Sequence, residues 1–225
     1  MNQSLSDVHS IIIADDHPLF RSALCAALQQ DVPNAQIIQA HDLPSLQEKV
    51  EQHDDAQLIL LDLHMPGAEG FSGLVFLVAH YPHIPVVIVS AHDQGDVVRR
   101  AMDHGASGFL SKSSSIEEME QAINMVLNGG VWMPTHVSQN SASSANEMNI
   151  AQALGQLTPQ QFRVASMVSQ GLLNKQIAYE LNVTEATIKA HMTEIFRKLG
   201  LHSRTQVVKA MSELAVQPVH DASQF

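Results

Sequence analysis

Residues 9–20 read HSIIIADDHPLF, three isoleucines running straight into two adjacent aspartates and, two residues later, a proline. Consecutive isoleucines ask for burial on both faces, the mark of a strand inside a covered parallel sheet. Asp15 and Asp16 repel each other at the lip of that core, so their place there depends on what else arrives. Pro18 suits the first turn of a helix. Outward from this stretch the same grammar repeats. SIIIA (10–14), QIIQA (36–40), QLILL (57–61), PVVIVS (85–90) and GFL (108–110) are short β-like runs. Between them come segments of 3.6-residue periodicity: PLFRSALCAALQQ, LPSLQEKVEQ, FSGLVFLVAHY, QGDVVRRAMDHG and IEEMEQAINMVLNGG. Gly105 and Gly129 suit helix C-termini. Five βα units predict an α/β fold, a doubly wound five-stranded parallel sheet with helices on both faces.

In such a sheet ligands bind beyond the carboxyl ends of the strands, where strand order reverses. With the order 2-1-3-4-5, strand one delivers Asp15 and Asp16 and its neighbour, strand three, delivers Asp62. Three hard carboxylates in one pocket call for a divalent cation, and Mg²⁺ fits, because it pairs one or two carboxylates with waters and phosphate oxygens. The fourth strand ends in the Ser90 hydroxyl, and Lys112 follows the fifth. Acids, metal, hydroxyl and lysine together make a phosphoryl-transfer site with Asp62 as nucleophile. Singly each has an ordinary reading: Asp15 as a helix cap, Asp62 as a loop acid, Lys112 as a solvated cation, Ser90 as a strand-end hydroxyl. The ordered set carries the inference.

These residues resemble the receiver domain of two-component response regulators, through ADDHP (14–18), LLDLHMPG (60–67), VSAHD (89–93) and GASGFLSK (105–112). The resemblance implies that Asp62 accepts phosphate from a sensor histidine kinase. It implies that Asp15, Asp16, Asp62 and the backbone carbonyl of His64 hold Mg²⁺, and that Ser90 and Phe109 switch inward together on phosphorylation. Phe109 lacks a phenol, so it reports burial and not a hydrogen bond. Many receivers carry proline after the lysine. Here Ser113 follows, and a cis Lys112–Ser113 bond is expected although it costs roughly 3–4 kcal/mol. The histidines His17, His41, His53, His64, His80, His83, His92 and His104 show no zinc-ligand spacing and read as surface or neighbouring residues.

The net charge of −11 at first argues against nucleic acid. Its distribution reverses that impression: residues 1–134 hold 5 basic against 17 acidic side chains, whereas residues 156–215 hold 7 against 4. Between these halves THVSQNSASSANEMN (135–149) reads as a flexible linker, with a short helix near its end. The expected organisation is a receiver over 9–130, a linker over 131–154 and a second domain over 155–216.

That second domain is helical punctuation. Thr158-Pro159 starts a helix that Gly171 ends, Asn174 starts a short one, and Asn182-Val183 makes a turn. Thr184 caps EATIKAHMTEIFRKLG, which stops at Gly200, and a last helix begins near Ser203. Ile188, Met192, Ile195, Phe196 and Leu199 form the buried stripe of the long helix, leaving Lys189, Ala190, Thr193 and Arg197 outward. Lys189, Ala190 and Thr193 suit base edges in a major groove; Lys175, Thr187, Arg197, Lys198 and Arg204 suit phosphates. The segment resembles the LuxR-type helix-turn-helix that ends response regulators of the NarL/FixJ class, in which the last helix commonly makes the dimer contact. Gln161 and Arg163 stand where that family usually has glutamates, and Thr193 replaces a residue that is often basic.

The expectation is therefore a cytoplasmic DNA-binding regulator and no enzyme, with Mg²⁺ as cofactor. Phosphate at Asp62 would convert a form with an occluded recognition helix into a dimer on an inverted repeat, with RNA polymerase as a candidate partner. A single cysteine, Cys25, on an apolar helical face excludes an internal disulfide and fits a reducing compartment. No membrane span or secretory signal is visible. A Mg²⁺-dependent phosphatase would need an acid two residues after its nucleophile, where His64 stands. A ligand-sensing LuxR-type regulator would need a cavity-forming sensor fold. A vestigial receiver feeding phosphorylation-independent DNA binding is the alternative.

Overall fold

The computed structural model describes residues 9–134 and 143–216. Residues 135–142 of the expected linker lie outside the described residues.

Five parallel strands, β1 (Ser10–Ala14), β2 (Gln36–Ala40), β3 (Leu58–Leu61), β6 (Val86–Ser90) and β7 (Gly108–Ser111), form one sheet in the order β2-β1-β3-β6-β7. This is the expected 2-1-3-4-5 order. Its apolar residues divide by parity, as a pleated strand requires. Ile11 and Ile13 face α1 (Pro18–Asp31) and α5 (Ile116–Leu127) with Leu24, Leu28, Met119 and Ile123. Ile12, Ile59, Leu61 and Ile88 face α2 (Leu43–Gln52), α3 (Ser72–His80) and α4 (Gly95–Asp103). Helix starts follow local chemistry. Asp42 accepts from Ser45 N at 2.7 Å while Ser45 Oγ accepts from Asp42 N at 3.2 Å, a capping box at α2. A small hairpin not foreseen in the sequence, β4 (His64–Met65) with β5 (Ala68–Glu69), interrupts the path from β3 to α3.

The second half is helical: α6 (Ala145–Gly155), α7 (Pro159–Ser169), α8 (Asn174–Glu180), α9 (Glu185–Leu199) and α10 (Arg204–Ser212). Thr158, Thr184 and Ser203 cap α7, α9 and α10 through their side chains. Gly200 closes α9 at φ +64, and Asn182 holds φ +51 in the turn between α8 and α9. Phe162, Ile177, Ile188, Ile195, Val207 and Met211 make a fully buried core.

Near the end of the linker, where a short helix is expected, the structure has α6, which runs on to Gly155. Ser144 accepts from Glu147 N at 3.1 Å and starts α6, which packs against α3 and buries Ala151 and Leu154. The apolar core then runs unbroken from α3 into α7. The Phe76 and Phe162 rings lie 5.2 Å apart, and His80 spans the boundary with Nε2 2.8 Å from the carbonyl of Leu157.

Candidate phosphoacceptor site and nucleic-acid interface

Neighbouring strands β1 and β3 end side by side, with Ala14 paired to Leu61. Asp62 N donates to the carbonyl of Ala14 at 2.8 Å, and Asp15 N to that of Ala40 at 3.1 Å. The ladder thus continues one residue past the strands and fixes both acids. Asp15 and Asp62 are 2% and 3% exposed. Lys112 Nζ stands 2.7 Å from Asp15 Oδ2 and 2.7 Å from Asp62 Oδ2. Lys112 is itself placed by the sheet, since its N–H donates to the carbonyl of Ser90 at 2.8 Å. Burial lowers the pKa of its ammonium, but the hydrogen bonds and charges of Asp15 and Asp62 outweigh that and hold it above the usual lysine value.

One lysine does not neutralise three carboxylates. Asp16 Oδ1 is buried and accepts no hydrogen bond of good geometry, although His17 Nδ1 is 2.8 Å away. Ligand atoms of Asp15, Asp16, His17 and Asp62 all lie within 4.8 Å of one another. A surplus of buried hard oxygens fits a divalent cation. His17, which its spacing in sequence leaves outside, enters this cluster because the turn into α1 folds it back: its N–H donates to Asp15 Oδ1 at 2.7 Å. Above Asp62 opens a cavity of about 400 Å³ lined by His17, Leu19, Phe20, His64, Ala91, His92 and Lys112. The His64 and His92 rings lie 4.6 Å apart across it. Burial, followed by the charge of His92, pulls the His64 pKa below its usual value. His64 N donates to Asp62 Oδ1 at 3.2 Å.

Ser90 is fully buried at the end of β6, where its Oγ accepts from His92 N at 3.1 Å. Two expectations are corrected. The Phe109 ring, expected to swing inward, is already fully buried among core side chains; without a phenol it has no polar atom to keep it at the surface. The Lys112–Ser113 bond is trans, as is every described peptide bond. Without proline the tertiary-amide preference that tolerates cis is absent.

In the helical half Lys189, Ala190, Thr193 and Arg197 share the exposed side of α9. The recognition helix is not occluded, contrary to expectation. The receiver packs on α6, α7 and the end of α10 instead. Several of the expected contact residues already have partners. Lys189 pairs with Glu185 at 3.1 Å and Arg197 with Glu194 at 2.8 Å. Thr193 Oγ1 donates to the carbonyl of Lys189 at 3.0 Å, and Thr187 Oγ1 lies 2.9 Å from Thr184 Oγ1. Lys198 Nζ donates to the carbonyl of Gln156 at 2.9 Å. Arg204 is half-buried, donating to the carbonyl of Leu172 and to Asn174 Oδ1, so it braces α10 against the start of α8. Lys175 is exposed.

A receiver-like acidic pocket with a bridging lysine, joined to a helix-turn-helix, defines a class, and the comparisons agree with it. The family described as "Response regulator receiver domain" matches residues 11–124, and "Bacterial regulatory proteins, luxR family" matches residues 155–211. The chain belongs to the DNA-binding response regulators of the NarL/FixJ class, whose members are transcriptional regulators and not enzymes. It is 41% identical to the "Glycerol metabolism activator" of Pseudomonas putida over 213 residues, covering 92% of this chain and 96% of that one. It is 29% identical to the nitrate/nitrite response regulator NarL of Escherichia coli K12, over 88% of this chain and 92% of that protein. Among solved structures, RcsB of Salmonella typhimurium superposes with a TM-score of 0.54 at 21% identity, over 91% of this chain and 98% of that chain. An RcsB–DNA complex superposes at 0.55 and 20% identity, over 93% and 100%.

Sequence reading missed Arg100, His104 and Glu147, which meet between the two halves. Ser144 and Glu147 did offer a signal, the S-x-x-E of a capping box. The serine caps as that pattern predicts, while the carboxylate turns to the receiver.

Proposed function

We propose that the protein is a phosphorylation-controlled transcription regulator of the cytoplasm, with a receiver over 9–130, a linker over 131–154 and a DNA-binding domain over 155–216. A sensor histidine kinase supplies the phosphoryl group. An Asp62 oxygen attacks phosphorus, the P–O bond forming as the P–N bond of the phosphohistidine breaks, and the departing imidazole keeps the electron pair and takes a proton from water. Lys112 gives up its contact with Asp62 to meet a phosphoryl oxygen, and Ser90 Oγ donates to another. Asp15, Asp16, Asp62 and the His64 carbonyl would hold Mg²⁺, which would supply positive charge to offset that of the transferred group. Phosphorylation promotes a homodimer, through α10, that sets two α9 helices into successive major grooves of an inverted repeat. There Lys189, Ala190 and Thr193 meet base edges. Lys175, Thr187, Arg197 and Lys198 meet phosphates, and Arg204 supports them from behind. RNA polymerase is the partner that a promoter-bound dimer would address.

The observation that carries this reading is Lys112 bridging Asp15 and Asp62 at 2.7 Å each, in a buried pocket with oxygens to spare. Intact mass after incubation with a small phosphodonor, with and without Mg²⁺, tests it. A Mg²⁺-dependent phosphoryl adduct on the wild type and none on Asp62→Asn is expected. No adduct on the wild type refutes the phosphorylation reading and leaves a regulator that binds DNA without it.

A further inference from the structure

Arg100 on α4 and His104 at its end both reach out of the receiver to Glu147 on α6. Arg100 Nε lies 2.9 and 3.1 Å from the two carboxylate oxygens, and His104 Nε2 lies 2.7 Å from Oε1. Glu147 and His104 are each 6% exposed, so this is a desolvated charge cluster and no surface ion pair. The same arginine donates through Nη2 to the carbonyls of Glu213 at 3.1 Å and Ala215 at 3.3 Å, and its guanidinium sits 4.7 Å over the Phe71 ring. Phe71 N donates to the carbonyl between them, that of Leu214, at 2.9 Å.

Three successive carbonyls just past α10 are thus all held by receiver donors. The end of a helix leaves carbonyls without intrahelical partners, and its dipole favours a cation there. Arg100 is a C-terminal cap supplied from the other domain. The approach is closest at Gly70, where φ is +53 and a Cβ would stand 2.2 Å from the Leu214 oxygen and 2.6 Å from Val216 N. Only glycine permits it.

We propose that this clamp is how the receiver restrains the protein: Arg100 holds the end of α10, the dimerising helix, and leaves the face of α9 open. The inference rests on the phosphorylation reading above and adds the residues that transmit it. Ser90 Oγ accepts the N–H of His92, in the segment that leads into α4. Drawing that hydroxyl toward a phosphoryl group on Asp62 withdraws the acceptor, frees the N-terminal end of α4 and carries Arg100 off α10. Arg100 is a coupling residue and touches no reacting atom.

Hydrogen exchange of the Phe71 amide reads the contact directly, because its acceptor lies in the other domain. In the full-length protein the amide is expected to be protected, and to lose protection once phosphodonor has produced the Asp62 adduct. Gly70→Ala and Arg100→Gln should each lower protection at least about tenfold without phosphodonor, as expected for breaking a buried charged contact. Phosphodonor should then add little, while the adduct still forms. Small-angle scattering should show both variants extended in the same way. Wild-type protection in both variants overturns the proposal, as does wild-type protection that survives adduct formation. A missing adduct counts against the phosphorylation reading and the coupling together; the variants' exchange then still decides whether the clamp holds the domains.

Discussion

Replacing Lys112 with methionine keeps an unbranched side chain of similar length and removes the cation shared by two buried acids. Each 2.7 Å contact corresponds to about 6 kcal/mol of gross attraction at an effective dielectric of 20. The desolvation of the ammonium cancels much of that. Breaking a buried pair by removing one partner costs about 3–5 kcal/mol. We take about 3 kcal/mol, since the side chain is 15% exposed. For a unit of about 120 residues that lowers Tm by about 12 °C in metal-free buffer. Magnesium should recover more than half of the loss, because a bound divalent ion neutralises the same oxygens, and it should stabilise the variant more than the wild type. Calorimetry with EDTA and with Mg²⁺ measures both. The wild-type contribution should persist through neutral pH. The folded pKa of Lys112 lies above its unfolded value of 10.5, so stability is complete below that value and is lost as pH rises through the folded one. A metal-free Tm within about 3 °C of wild type, or equal Mg²⁺ shifts in both proteins, would refute the reasoning.

Two further outcomes follow from burial and exposure. Cys25 is 9% exposed and burial pushes its thiol pKa up, so at pH 8 the folded protein should resist alkylation while the urea-unfolded chain reacts readily; equal rates would place the thiol elsewhere. In the DNA-binding half, Lys175→Ala should weaken binding to all duplexes alike and reduce the salt slope by about 1, whereas Lys189→Ala should relax base preference at one position of each half-site. Salt titrations of both variants on selected and scrambled duplexes separate the two effects, and identical behaviour would remove the assignment of Lys189 to base edges.

What the sequence made legible follows from periodicity and capping, which are local. The apolar runs IIIA and LILL, each bounded by turn signals, read as covered strands, and their order brought Asp15 and Asp62 together without any side-chain knowledge. Thr158, Thr184 and Ser203 announced their helices because a cap is a three-residue event. His17 escaped because its place in the acidic cluster depends on one turn folding back onto Asp15, which no spacing rule encodes. Phe109 was given a swing by analogy with phenolic side chains, and its actual burial follows from having no hydroxyl to satisfy. The clamp was out of reach for a different reason. Arg100 sits in VVRRAMDH, where arginine at that spacing is what any solvated helix face shows, and its partners are 47 and 113 residues away.

The chemistry of that clamp also bears on whether the fold can switch. The apolar part of the interface, with Phe76 against Phe162, favours closure in proportion to the area it hides and answers to no signal at Asp62. The polar part behaves otherwise. Burying Arg100, His104 and Glu147 incurs a desolvation cost that cancels most of their attraction, so the cluster adds little net stability when intact. It becomes strongly unfavourable when one member is displaced, because the others are left buried and unpaired. A small displacement of α4 is thereby converted into a large loss for the closed form. Taking a two-state equilibrium from 1:99 to 99:1 requires about 5.5 kcal/mol of differential free energy. Unpairing a buried charge with two or three hydrogen bonds lies within reach of that figure, whereas a sub-ångström shift of apolar contacts does not. The same reasoning explains why glycine stands at position 70: a backbone-to-backbone contact with the end of α10 makes the closed geometry all-or-none, so Arg100 holds the Glu213 and Ala215 carbonyls and Phe71 N that of Leu214 together, or all three are released.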